Sequence, residues 1–223
     1  MRQGETATYQ GSQVALLPYD YVDITQNSGP NTFSHCCGHA ADFAFPHARY
    51  PIYAPFDCHE ISAYDSYAGR TFCSDSPVWT PGHGLVYVTF RIVHDDSPMA
   101  GTSFRQGQIC GHSGNSGASY GDHSHLDCSP QQNAQLVSFG VTCQQGNACY
   151  ALQGSAMQDT IFYLTGSEAV IDTTADGITQ HFQTWTGPTG SRIAKWLLLA
   201  SGILKRKQEE EEGNTDGILD HTG

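Results

Sequence analysis

Apolar positions along this chain mostly alternate with polar ones or gather in short runs between Gly and Pro, which is the spacing of β-strands. The clearest case is GLVYVTFRIVH at 84–94, which mixes alternation with β-branched residues and enters from the turn PGHG. HAADFAF, YPIYAPF and HEISAYDSY fit strands broken by Gly and Pro. RQGQICGH fits a short strand, GNSGASYGD a loop and HSHLDC another strand. TIFYLTG and EAVIDTT are expected to form a closing pair. Helical periodicity is found only after the breaker GPTG at 187–190. In SRIAKWLLLASGILKRKQEEEE, residues Ile193, Trp196, Leu197 and Ala200 share one face, with Leu204 a turn further on. The pattern therefore predicts a mainly β protein, an antiparallel sheet with long loops forming a groove, plus a C-terminal helix. Four segments follow: an irregular lead-in at 1–30, the main domain at 31–186, a helix or docking segment at 187–208, and an acidic flexible tail at 209–223. The helix either docks on another chain or packs on its own domain.

Composition narrows the class. The 223 residues include 24 Gly, 11 Tyr and 10 Phe, and only 14% are charged, a profile of strands and turns. The net charge is −12, which excludes nucleic acid as the expected partner. The apolar run at 194–204 is too short to span a bilayer, and the polar start MRQGETATYQGSQ lacks the apolar core of a signal peptide. Work outside a cell would then require lysis, a holin-type route or carriage inside a virus particle. Eight cysteines allow either a disulfide framework or a set of partly buried thiols, and spacing does not decide the pairing. There is no Cys-x-x-Cys pair, so a structural zinc ribbon is not expected.

Candidate chemistry lies in three separated stretches. SHCCGHAADFAF holds His35, His39 and Asp42; one strand ends at His94; and His123 and His125 lie two apart, on one face of a strand. Two histidines and a carboxylate form the ligand set of a catalytic zinc, which keeps a fourth position open. His39 and Asp42, three apart, face opposite ways on a regular strand. His35 and Asp42, seven apart, do so too, but Gly38 permits a loop between them.

The flanking residues carry a resemblance. FRQGQICGHSGNSGASYGDHSHLDC resembles the closing motif of the lysostaphin-type (LytM-like) zinc endopeptidases through Gly107, Gln108, Gly111, Gly114, Asn115, Gly117, Gly121, His123 and His125. HCCGHAAD is similar to the His-x-x-Gly-x-Ala-x-Asp pattern of the wider superfamily through His35, Gly38, Ala40 and Asp42. YPIYAPF resembles the strand that follows it. The resemblance runs from His35 to Cys128. It implies that Zn²⁺ is bound by His35, Asp42 and His125, with His94 and His123 as catalytic residues beside the open position. His39 is the alternative first ligand. It also implies hydrolysis of peptide bonds in bacterial peptidoglycan, as in the peptidase domains of phage tail-tip lysins. That places the protein in a virion or outside the cell after release, with other tail proteins as possible partners of the C-terminal segment. There are departures from the family: the seven-residue His35–Asp42 spacing, Ser124 between the two late histidines, and Arg91-Ile92-Val93 before His94 in place of a tyrosine pattern. Other readings are a non-catalytic structural or wall-binding protein on the same fold, and a D-Ala-D-Ala-type carboxypeptidase. His47, His59, His112, His181 and His221 are expected at the surface, in turns or behind the site. His83 could border the cleft. Tyr64, Tyr67 and Tyr87 either line a groove or pack on strand faces.

Overall fold

The fold was examined in a computed structural model, which describes residues 1–29, 32–36, 40–63, 69–143, 146, 148–155, 161–165, 169–170 and 182–187. The helix expected at 187–208, apart from Gly187, and the tail at 209–223 lie outside the described residues, as do His39, Tyr64 and Tyr67. Met1–Trp185 form one compact unit.

The strands in chain order are β1 Thr8–Tyr9, β2 Ser12–Gln13, β3 Val22–Gln26, β4 Ala40–Phe43, β5 Pro51–Tyr53, β6 Cys58–Ser62, β7 Arg70–Ser74 and β8 Val78–Thr80. They continue with β9 Gly84–Val86, β10 Thr89–Val93, β11 Ser103–Phe104, β12 Ile109–His112, β13 Ser124–Ser129, β14 Leu136–Thr142, β15 Ala148–Leu152 and β16 Ala169–Val170. Eight of them make the main sheet, in the order β11-β6-β7-β10-β13-β4-β3-β16. Its pairings are antiparallel except β16 with β3. Two-stranded ribbons β1–β2, β5–β12, β8–β9 and β14–β15 surround it.

The centre of the sheet is buried on both faces. Every residue of β7 and β10 is buried, although these strands alternate Phe72, Phe90 and Ile92 with polar Thr71, Thr89 and Arg91. Phe72 stacks on Phe90 at 5.1 Å between centroids, and Phe56 meets Phe90 edge-on at 5.6 Å. Each such ring, fully withdrawn from water, contributes roughly 1.5–3 kcal/mol. Four buried cysteines outside the disulfides, Cys58, Cys73, Cys110 and Cys128, belong to this interior. Burial pushes the Cys110 thiol up to about 12, so it packs as a small apolar group rather than a nucleophile. Cys36 and Cys143, 107 residues apart, are joined in a disulfide, and Cys149 is disulfide-bonded as well. The described cysteines thus divide between framework and core.

Three expectations differ from the structure. The stretch at 84–94 is two strands, not one. Gly84–Val86 pairs with β8 while Thr89–Val93 enters the main sheet, and Ser74 holds the Val88 backbone at the crossing through N–H and side chain. The segment at 1–29 is not irregular. Ala15 and Leu17 are fully buried and bond to the Tyr163 backbone, and Gln106 accepts from Ala7 and donates to Val14 and Pro55. Among the described residues, the two late segments pair elsewhere than with each other: Tyr163 bridges Leu16, while β16 runs parallel to β3. The β14–β15 hairpin was not anticipated.

Candidate functional site

Sheet register brings the central residues together. Asp42 on β4 lies directly opposite His125 on β13, and His125 lies opposite Val93 on β10. His94 follows immediately. His35 precedes β4 in a loop held by the Gly29 N–H on its carbonyl and by Ser28 against the Ala40 backbone. That loop removes the parity objection, because His35 is not on the strand that carries Asp42.

The three donor atoms form a compact triangle. His35 Nε2 is 3.0 Å from His125 Nδ1, which is 3.1 Å from Asp42 Oδ1, and His35 Nε2 is 3.4 Å from the same oxygen. A tetrahedral zinc ion with bonds of about 2.0–2.2 Å needs donors roughly 3.3–3.6 Å apart. The observed edges are hydrogen-bond lengths within a few tenths of an ångström of that figure, so the donor set fits the ion. Cys36, Cys143 and Cys149 also converge, but as disulfide sulfurs they are not thiolate ligands.

Two more imidazoles flank the triangle. The His94 and His123 rings lie 4.4 Å apart, and His123 Nε2 is 3.7 Å from Asp42 Oδ1. His94 donates its Nδ1–H to the Ser116 carbonyl at 2.7 Å, and His123 donates its Nδ1–H to the Gly121 carbonyl at 2.8 Å. In the neutral rings this leaves both Nε2 atoms as proton acceptors. His94 sits at φ 74°, in the left-handed region that non-glycine residues seldom occupy. Gly114 explains how that is accommodated: it pairs with His123 through both backbone bonds, and a Cβ there would collide with the His94 carbonyl oxygen.

Electrostatics separate the roles. Burial lowers His94 to about 4, so it is neutral at pH 7. Burial alone would raise Asp42, but His35 and His125 hold it well below the usual carboxylate range. For the ring of His125, burial acts downward and is outweighed by the carboxylates of Asp127 and Asp42, which push it up to about 9.

These side chains line a cavity of about 550 Å³. Phe33, Tyr120 and Tyr150 stand at its walls, with Phe33 and Tyr120 edge to face at 5.6 Å. Sequence reading did not single out these aromatics, nor Arg91 and Asp127. For Asp127 a signal existed, since it lies two residues beyond His125 on the same strand face. His83 and Tyr87 are not among the lining residues. His59 pairs with Asp75 at 2.7 Å and His112 bonds the Ser97 carbonyl, both away from the triangle.

The five singled-out residues stand in one cavity, in the chain order of the motif quoted above. The chain resembles the lysostaphin-type zinc peptidases. Morphogenesis protein 1 of Bacillus phage B103 is 36% identical over 128 residues, which make up 55% of this chain and 35% of the phage protein. The chain thus spans about a third of that relative's length. Among solved structures, a zinc containing peptidase from Vibrio cholerae aligns with 52% of this chain and 36% of its own, at 21% identity and TM-score 0.39. The antimicrobial peptidase lysostaphin from Staphylococcus simulans aligns with 57% and 50%, at 18% identity and TM-score 0.39. No protein-family profile matches the chain.

Proposed function

We propose that this chain is a zinc-dependent endopeptidase that hydrolyses peptide bonds in bacterial peptidoglycan and is carried by a phage particle. The observation that carries the reading is the donor triangle of His35, Asp42 and His125 beside the His94–His123 pair. Zn²⁺ held there would supply a Lewis acid that acidifies water and polarises an amide carbonyl. The chain's own residues supply the proton transfers. Either flanking ring can take a proton from water at Nε2 because its Nδ1–H is committed to a backbone carbonyl. The ring that has taken the proton faces the developing oxyanion with its positive charge, and afterwards gives the proton to the departing amine and returns to neutral. The aromatic walls at Phe33, Tyr120 and Tyr150 give the cavity apolar surfaces for a peptide to lie against.

The phage relative supports placement in a virion, as does the net charge of −12, which disfavours binding to an anionic wall by charge alone. Docking to other tail proteins through 187–208 remains part of the proposal. Among the described residues no helix is long and apolar enough to cross a membrane.

Two variants test the assignment. His123→Ala is expected to retain stoichiometric zinc and to lose turnover by about 10²–10⁴-fold. His125→Ala is expected to lose both zinc and turnover. Zinc content and release of cell-wall fragments are the measurements, and wild-type turnover by His123→Ala removes that residue from the mechanism. The His35–Asp42 spacing of seven, shared with the D-Ala-D-Ala carboxypeptidase pattern, supports a second reading. Mass spectrometry of the products separates the two: single terminal residues indicate a carboxypeptidase, internal cuts an endopeptidase.

A further inference from the structure

We propose that Asp127 is a positioning residue: it keeps the His125 ring proton on Nε2, so that Nδ1 presents a lone pair to the metal. The proposal deepens the zinc reading above and rests on it. Asp127 lies two residues after His125 on β13 and is fully buried. Its Oδ2 accepts from His125 Nε2 at 3.1 Å and from Arg91 Nη1 at 3.2 Å. The register of the sheet places Arg91 directly opposite Asp127, so the arrangement is built by two central strands rather than by a loop.

The chemistry follows from counting protons. A metal-binding imidazole carries one N–H, and the nitrogen without it is the ligand. Ionised carboxylates, which can only accept, face both ring nitrogens; Asp42 on the Nδ1 side would itself be a metal ligand, so the ring's one N–H is left to Nε2, which faces Asp127. That leaves Nδ1 free, and Nδ1 is the atom aimed at Asp42 Oδ1 and His35 Nε2. Arg91, itself only 5% exposed, compensates the buried charge and keeps Asp127 an acceptor. The carboxylate behind the ring also raises the basicity of the ligating nitrogen. An asparagine would keep the shape but could donate its amide to Nε2, moving the ring proton to the metal's side.

The test uses the full chain and Zn²⁺ in competition with a chromogenic chelator. Asp127→Asn is expected to weaken zinc binding by roughly 10–100-fold. The melting temperature of the zinc-free protein, measured in parallel, shows whether only packing has changed. The double variant Arg91→Met/Asp127→Asn removes both buried charges and covers the case in which the single variant fails to fold. If Asp127 served only to neutralise Arg91, the double variant would bind zinc like the wild type, and that result overturns the proposal. So does an Asp127→Asn protein whose zinc affinity lies within about threefold of wild type. Continued weak binding by the double variant supports it. A wild-type chain that takes up no zinc ends the metal reading itself, whereas tight wild-type binding with unaffected variants ends only this one.

Discussion

His94 combines an unfavourable backbone with an unfavourable burial. A left-handed conformation costs a non-glycine residue about 1–2 kcal/mol, and withdrawing the ring from water lowers it to about 4. Both are held in place by fixed neighbours, the Ser116 carbonyl on Nδ1 and the bare Cα of Gly114 against its own carbonyl. The depressed value has a definite sign. Unfolded histidine titrates near 6.5 and folded His94 near 4, so between these values the unfolded chain binds the extra proton. This contribution is therefore complete above pH 6.5 and is lost as pH falls to about 4. It amounts to about 3 kcal/mol. In denaturant unfolding of zinc-free protein, the wild type should lose about that much more stability between pH 7 and pH 4 than His94→Gln does. Equal losses would contradict the assignment. The candidacy of His94, which lines the cavity, came from the family resemblance, through its place before the Gly107-Gln108 step. Its conformation could not, because nothing about histidine or its neighbours encodes a positive φ.

Register makes the site at the level of elements. Residues 42, 125 and 93 lie in one row across β4, β13 and β10, and a slip of one residue would send His125 to the opposite face. β13 and the second half of 84–94 could be read from the chain because their apolar and β-branched residues meet a core. The hairpin β14–β15 could not, since five successive residues of β14 are exposed and show no buried face. The segment at 14–17 was missed for the opposite reason: VALL is buried without alternation, and its partner at Tyr163 is remote in sequence. The Gly114–His123 bridge belongs to this scale as well. Gly114→Ala is expected to displace His94 and His123 while sparing His35, Asp42 and His125. Metal analysis should then show zinc retained, with turnover reduced by about 10²-fold, and loss of zinc in that variant would place Gly114 in the ligand frame instead.

Across the whole molecule, segments far apart in the chain converge on one groove, and a covalent bond ties two of them. Cys36 follows His35 directly, and Cys143 follows β14, whose hairpin supplies Leu136, Ala148 and Tyr150 to the groove wall. Closing a loop across 107 residues restricts the unfolded chain. Cys143→Ser is therefore expected to lower stability by roughly 2–5 kcal/mol. Chemical denaturation under non-reducing conditions measures this, and an unchanged midpoint would mean that the remaining framework already fixes the hairpin. Neither the pairing nor the wall could be foreseen, because cysteine spacing does not report which sulfurs meet. The same bond has a mechanical consequence. Under the function proposed above, the groove would hold a peptide of a mesh stretched by turgor and would be pulled by it. Load applied between the hairpin and the neighbour of His35 would then pass through sulfur–sulfur rather than only through the hydrogen bonds of an exposed ribbon, and would leave the two walls aligned.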